Sequence, residues 1–208
     1  MSIPVAPPAA SQLPGRSYGI RARLVRCVIA VLTAASLSLP ARTSVAAARV
    51  TQEYDLKAVF LLNFARFVDW PADAFQEAGT PIVIGVLGAD PFGTTLQETV
   101  ANESAHDRKV VIKHFRTAEE IEPCQILFVP DPESAQWQRQ AGRLARRSML
   151  TVGENREFTA RAGMIAFDRN GRRLRLRINL AAVTAARLTI SSKLLRQADI
   201  VASEDTTP

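Results

Sequence analysis

Histidine and cysteine are scarce, with two of each in 208 residues. His106 and His114 stand eight apart without a partner set at zinc-ligand spacing, so the sequence does not support a zinc site. Glycine-rich phosphate loops are missing too. Gly85-Val86-Leu87-Gly88 lacks the remaining glycines of a dinucleotide loop, and no GKS or GKT follows a strand-like run. Asp90-Pro91-Phe92-Gly93 reads as a strand-to-helix turn rather than a phosphate cradle. Ser191-Ser192-Lys193 has the wrong spacing for a Ser-x-x-Lys nucleophile and suits a helix cap better. No carboxylate pair can be placed face to face from spacing alone. The sequence therefore predicts no catalytic residue, no metal and no cofactor, and an exported enzyme is the least favoured of three functional classes.

Long hydrophobic runs are also absent. The most apolar stretch, Cys27 to Leu39, has 13 residues, whereas a membrane-spanning helix needs about 20. It follows Arg21, Arg23 and Arg26 and precedes Ala46-Ala47-Ala48, the order of a secretory signal peptide. The expected organisation is a cleaved leader over 1–48, one domain over 49–201 and a polar tail over 202–208, with periplasmic export and no membrane insertion after cleavage. An uncleaved anchor is the competing reading.

Arg16, Arg21, Arg23, Arg26 and Arg42 all precede the cut and every acidic residue follows it, so the mature chain is nearly neutral although the whole chain carries +6. That removes the charge argument for nucleic acid. The remaining basic clusters, Arg139 to Arg147 and Arg169 to Arg177, lack interleaved aromatics and read as solvated faces. Only Cys124 survives cleavage, which excludes an internal disulfide. A partly buried thiol is the first reading of it, an intermolecular disulfide the second.

What is present centres on Leu56 to Pro71, LKAVFLLNFARFVDWP. At 100° per residue Phe60, Leu61, Phe64, Phe67 and Val68 share a broad face, opposite Asp55, Asn63, Arg66 and Asp69. This predicts a mostly buried helix that stops near Trp70, before Pro71. Lys57 projects onto the apolar side. Either its ammonium bends out to water past its own stem, or it pairs with a carboxylate at a contact surface.

Downstream, Pro81 to Leu87, Lys109 to Phe115, Gln125 to Val129 and Met149 to Val152 read as strands. Between them are a helix capped by Asp90, a short turn with a Thr117/Glu120 capping box, and an exposed helix over Glu133 to Arg147. Asn170-Gly171 marks a hairpin between Met164 to Asp168 and Arg173 to Leu180. Leu174, Leu176 and Ile178 alternate there with Arg173, Arg175 and Arg177, which predicts an antiparallel edge strand with an arginine face. Leu180 to Leu188 and Ser191 onward read as two short helices. The fold class is α/β: a single-domain layered sandwich with a mixed, mostly parallel sheet and a C-terminal antiparallel hairpin.

Ordered along the chain are Lys57, Leu61, Asn63-Phe64, Phe67, Trp70-Pro71, Leu87-Gly88 and Asp90 to Gly93. Cys124 before Ile126 to Phe128, Leu150 to Glu154, Gly163 to Ile165, Ile178 to Leu180 and Leu188 to Leu195 follow. The set resembles the YfiR-like family of periplasmic proteins over nearly all of the mature chain. The resemblance implies a non-enzymatic α/β domain, often a homodimer, that represses an inner-membrane diguanylate cyclase by binding its periplasmic sensor region. It also implies disulfides in better-known members, whose cysteine pairs this chain lacks. Polar residues within the matching blocks are the candidate partner or ligand contacts: Lys57, Asn63, Arg66, Asn179, Ser192 and Lys193. Each could instead be a cap or a buried hydrogen-bond partner. The rival class is a small-ligand sensor subunit for a membrane histidine kinase or transporter, its crevice formed by Gly88 to Gly93 and Gly153-Glu154 at strand ends.

Overall fold

The structure is a computed structural model that describes residues 42–144, 147–170 and 173–201. The chain divides into two compact units, Met1–Val45 and Ala46–Pro208. The first lies almost wholly outside the described residues, as do the tail 202–208 and most of the expected leader. No helix among the described residues is long and apolar enough to cross a membrane.

The second unit is a layered α/β sandwich. Helix α1 (Arg42–Phe67), of which this unit holds the residues from Ala46 on, leads into β1 (Val68–Asp69), β2 (Ile82–Leu87), α2 (Thr95–Val100), β3 (Ser104–Ala105) and β4 (Arg108–Phe115). Next come β5 (Ile126–Val129), α3 (Ser134–Leu144), β6 (Leu150–Gly153), α4 (Arg156–Ala160) and the hairpin β7 (Ile165–Asn170) and β8 (Arg173–Asn179). Helix α5 (Leu180–Ala185), β9 (Thr189–Ile190), α6 (Ser192–Leu195) and β10 (Ala198–Val201) close it. The main sheet runs β10-β8-β7-β6-β5-β2-β4-β3. From β4 through β7 neighbouring strands are parallel, in the order 2-1-3-4-5 by their sequence rank, and β7 meets β8 antiparallel. The fold class read from the sequence is the one observed.

Strands β2, β5 and β6 are buried throughout because helices cover both faces. Strand alternation splits their side chains into two cores. Ile84, Phe128, Val152 and Phe167 join α1, α2, α5 and α6 on one face, while Leu127, Val129 and Ala166 join α3 and α4 on the other.

Several boundaries differ from the expectation. Helix α1 ends at Phe67, three residues early, because Val68 and Asp69 pair antiparallel with Ile190 and Thr189. Asp90 caps no helix: its Oδ1 accepts from the Phe92 N–H at 2.8 Å within the turn, and α2 begins only at Thr95. Glu120 accepts from the Arg116 backbone N–H, and Thr117 caps nothing with its side chain, so no capping box forms. The helix expected to be exposed buries Trp137 and Leu144. Strand β8 is not the edge, since β10 pairs with it in parallel. The arginine face is accordingly tied: Arg175 lies 3.6 Å from Asp199 of β10 and Arg177 3.8 Å from Asp168 of β7. In the other basic cluster, Arg143 and Arg147 donate to the backbone carbonyls of Ala118 and Ile121, and so anchor a loop.

Cys124 is buried, its Sγ 3.3 Å from Met149 Sδ. Burial pushes its thiol up to about 12, against the opposing pull of Arg147 and Lys113. A buried, protonated thiol is a poor nucleophile, and it cannot reach a second copy without local opening. That closes the intermolecular-disulfide reading. A maleimide should leave the native protein unlabelled and label it fully in denaturant; rapid native labelling would show that this pocket opens.

Candidate functional site

The candidate site is built on the outward and inward faces of α1. Its inward face carries the ionic cluster. Lys57 is 3% exposed, and its Nζ lies 2.6 Å from Glu154 Oε1 and 2.8 Å from Glu53 Oε1. It also sits 4.4 Å from the centroid of the Tyr54 ring and 5.9 Å from that of Phe167. The other oxygen of Glu154 accepts from the Asp131 N–H at 2.9 Å, and Arg169 of β7 pairs with Glu53. Two cations and two carboxylates thus join α1 to the loops after β5 and β6 and to β7. Lys57 does not bend to water. It does pair with carboxylates, but inside the domain and not at a contact surface.

Titration in this cluster follows the geometry. Burial raises the Tyr54 phenol first, and the negative charge and hydrogen bond of Glu154 raise it further. At Glu53 burial acts upward, but the hydrogen bond and charge of Lys57 and the charge of Arg169 outweigh it and hold the carboxyl below 4.5. A carboxyl depressed by folding adds stability that is present above its unfolded pKa and is lost as pH falls through its folded one. Thermal stability should therefore fall as pH drops below about 4.5, and Glu53→Gln should flatten part of that acid limb. An identical acid limb in the variant would remove Glu53 from the account.

At the strand ends, two residues of the expected crevice are engaged by the protein itself, while Gly93 faces open space. Gly88, at φ +72°, lies so close to Glu133 that a Cβ there would collide with that carboxylate. Glu154 is committed to Lys57 and Asp131. Among the described residues no group of three His, Cys, Asp or Glu could hold a metal ion.

The other candidates divide by position. Asn179 is buried: its side chain accepts from the Ala182 N–H at 3.0 Å, capping α5, and donates to the Thr159 carbonyl at 3.1 Å. Those bonds are structural. Arg66 is exposed and pairs with the equally exposed Glu103, an arrangement worth little energetically. Asn63 is half-buried on the same stripe of α1, which also presents Leu56 and Val59, 44% and 47% exposed. Ser192 and Lys193 are exposed at the start of α6, capped by Ser191. The Ser191 N–H donates to the Phe67 carbonyl at 2.8 Å and β1 pairs with β9, so α6 meets the end of α1 that carries Arg66. Asn63, Arg66, Ser192 and Lys193 therefore gather at one end of α1, while Lys57 and Asn179 belong to the interior. Glu53 was not singled out from the sequence, Glu154 was read as part of a ligand crevice and Arg169 as part of a solvated basic face; of their contacts only the Glu53/Lys57 spacing of four was a readable signal.

A protein-family model described as YfiR/HmsC-like matches residues 54–199. The chain belongs to this family. The match begins at Tyr54 of the ionic cluster and ends within β10, so the family's extent is that of the sandwich. No protein in a search of curated sequences matches the chain. Among solved structures it is similar to a conserved domain protein from Vibrio cholerae O1 biovar eltor str. N16961, at 13% identity and a TM-score of 0.42. That alignment covers 57% of this chain and 54% of the other, so the chain spans about half of that neighbour's length.

Proposed function

We propose that this YfiR/HmsC-like protein is exported to the periplasm, its leader 1–48 removed, and there binds the periplasmic sensor region of an inner-membrane diguanylate cyclase, restraining it and lowering cyclic di-GMP. The observation that carries this reading is the family match, which takes in the sandwich from α1 to β10. Its contact surface is the outward stripe of α1 with the start of α6: Leu56 and Val59 supply apolar area, and Arg66 and Lys193 supply charge. A small apolar centre bordered by charges that steer and register a partner is the usual anatomy of a protein interface.

Deleting the gene should raise cyclic di-GMP and surface attachment, and the effect should vanish when the cyclase is also deleted. Arg66→Glu with Lys193→Glu should lower partner affinity at least tenfold while leaving the melting temperature within about 1 °C, because exposed charges contribute little to folding. Unchanged cyclic di-GMP in the deletion strain, with no such membrane protein recovered by pull-down, would overturn the reading. N-terminal sequencing of periplasmic protein should begin near residue 49; full-length protein in the membrane fraction would refute export with cleavage.

A further inference from the structure

One row of side chains crosses the main sheet from edge to edge on its α1 face. Successive partners are His114 of β4, Val86 of β2, Phe128 of β5, Val152 of β6, Ile165 of β7, Ile178 of β8 and Ile200 of β10. Every member from Val86 to Ile178 is fully buried. The row ends differently at its two edges. At β4 it stops on His114, which is polar and exposed, and that edge is guarded by Lys109, Lys113 and the two-residue strand β3. At β10 it stops on Ile200, which is apolar and 48% exposed. No strand among the described residues pairs with the outer side of β10. This edge has no lysine or proline, and its one charged residue, Asp199, lies 3.6 Å from Arg175 of β8. An apolar row left open at an unguarded edge is a template for a further strand.

We infer that β10 pairs antiparallel with β10 of a second copy of this chain, about a twofold axis at Ile200. Such an axis pairs residues equally spaced on either side of it. With the axis at Ile200, the apolar row continues from Ile200 of one copy to Ile200 of the other, and Asp199 faces Val201. Moving the axis to Asp199 sets two carboxylates opposite each other, which is unfavourable. Moving it to Val201 sets Ile200 against Ala202 and interrupts the row. The axis at Ile200 also places the exposed Arg196, four residues before it, opposite Glu204, four after it. Symmetry makes that complementary pair twice. Four-residue strands bury less than the about 1,200 Å² of a stable interface, so the dimer is a weak and reversible one. It uses neither Arg66 nor Lys193, and its failure would leave the repressor reading untouched.

Sedimentation equilibrium of the full chain, from about 10 to about 500 µM to suit a weak interface, should show a reversible monomer-dimer equilibrium. Ile200→Lys, at an exposed position, should raise the dissociation constant at least tenfold with the circular dichroism spectrum unchanged. Arg196→Glu should weaken the dimer, and Arg196→Glu with Glu204→Arg should restore it, a rescue that a purely structural role of either residue would not give. Cross-linking reads the register. In a Cys27→Ser background, where the buried Cys124 is the other thiol, Ile200→Cys should give a disulfide-linked dimer on oxidation with diamide. Directly paired Cα atoms lie about 4.5 to 5.5 Å apart, within disulfide range. Asp199→Cys, whose twin is displaced along the strands, should cross-link at least fivefold less. A dimer indifferent to Ile200→Lys, no rescue by the charge exchange, or cross-linking through position 199 as readily as through 200 would each overturn the pairing. A chain monomeric at every concentration would overturn it too, and would leave the edge to an extended segment of another protein.

Discussion

Lys57→Met should lower stability by about 3 to 5 kcal/mol, the cost of leaving a buried carboxylate without its cation. For a chain of this size that is a fall in melting temperature of roughly 10 °C. The side chain of Glu154 is 6% exposed, and Glu53 keeps Arg169 as a second partner. The deficit therefore falls on Glu154. Replacing both members of the pair removes the stranded charge, so Lys57→Met with Glu154→Gln should recover at least half of the loss, the amide oxygen still able to accept from Asp131 N–H. Lys57→Glu should be worse than either, since it places a third carboxylate beside two. Differential scanning calorimetry decides the matter: a shift under 2 °C for Lys57→Met would mean that the ammonium is in practice solvated. It follows that Lys57 is unsuited to testing the partner surface, because its loss would weaken binding by loosening the domain.

Phe167→Ala should cost about 3 to 5 kcal/mol in chemical denaturation. Phe167 is fully buried on β7, with ring centroids 5.8 Å from Phe60, 6.0 Å from Phe64 and 6.5 Å from Phe128. It joins α1 to two strands. Removing the ring deletes contacts on every side, and rings held by helix and sheet together can collapse only partly into the space. Phe167→Leu, which retains most of the volume, should cost less than half as much. A loss under 1 kcal/mol for the alanine variant, about what an ordinary substitution costs, would mean that α1 repacks freely on the sheet. Because Phe167 and Lys57 are in contact, the double substitution should cost measurably less than the sum of the two.

Much of this architecture was legible along the chain. Runs such as Ile82 to Leu87 and Ile126 to Val129 are apolar at every position, and only a strand covered on both faces explains that. Asn170-Gly171 and the alternation of Leu174, Leu176 and Ile178 with arginine marked the hairpin, because turn chemistry and strand period are local, although Asn170 proves to be a strand residue paired with Arg173. The broad apolar face of α1 was visible for the same reason: Leu61 and Phe64 are both fully buried. Strand β10 was not visible. Ala198–Val201 is four residues with an aspartate and mixed exposure, and it is a strand only because the open side of β8 offers it hydrogen bonds.

The sequence by itself determined the layered α/β class, the hairpin and the central helix, since each follows from the period and chemistry of consecutive residues. Tertiary structure alone decided the partners of the polar residues. Lys57 and Glu154 are 97 residues apart and meet at 2.6 Å, so no spacing rule could pair them. It decided equally that Asn179 is a cap with a buried bond to Thr159, that Arg66 and Lys193 lie toward one end of α1, and that the Glu133 carboxylate closes on Gly88. A hydrophobic stripe must be buried somewhere and announces itself by its period. A charge or an amide is satisfied by one atom at one distance, and only the closed chain brings that atom into place.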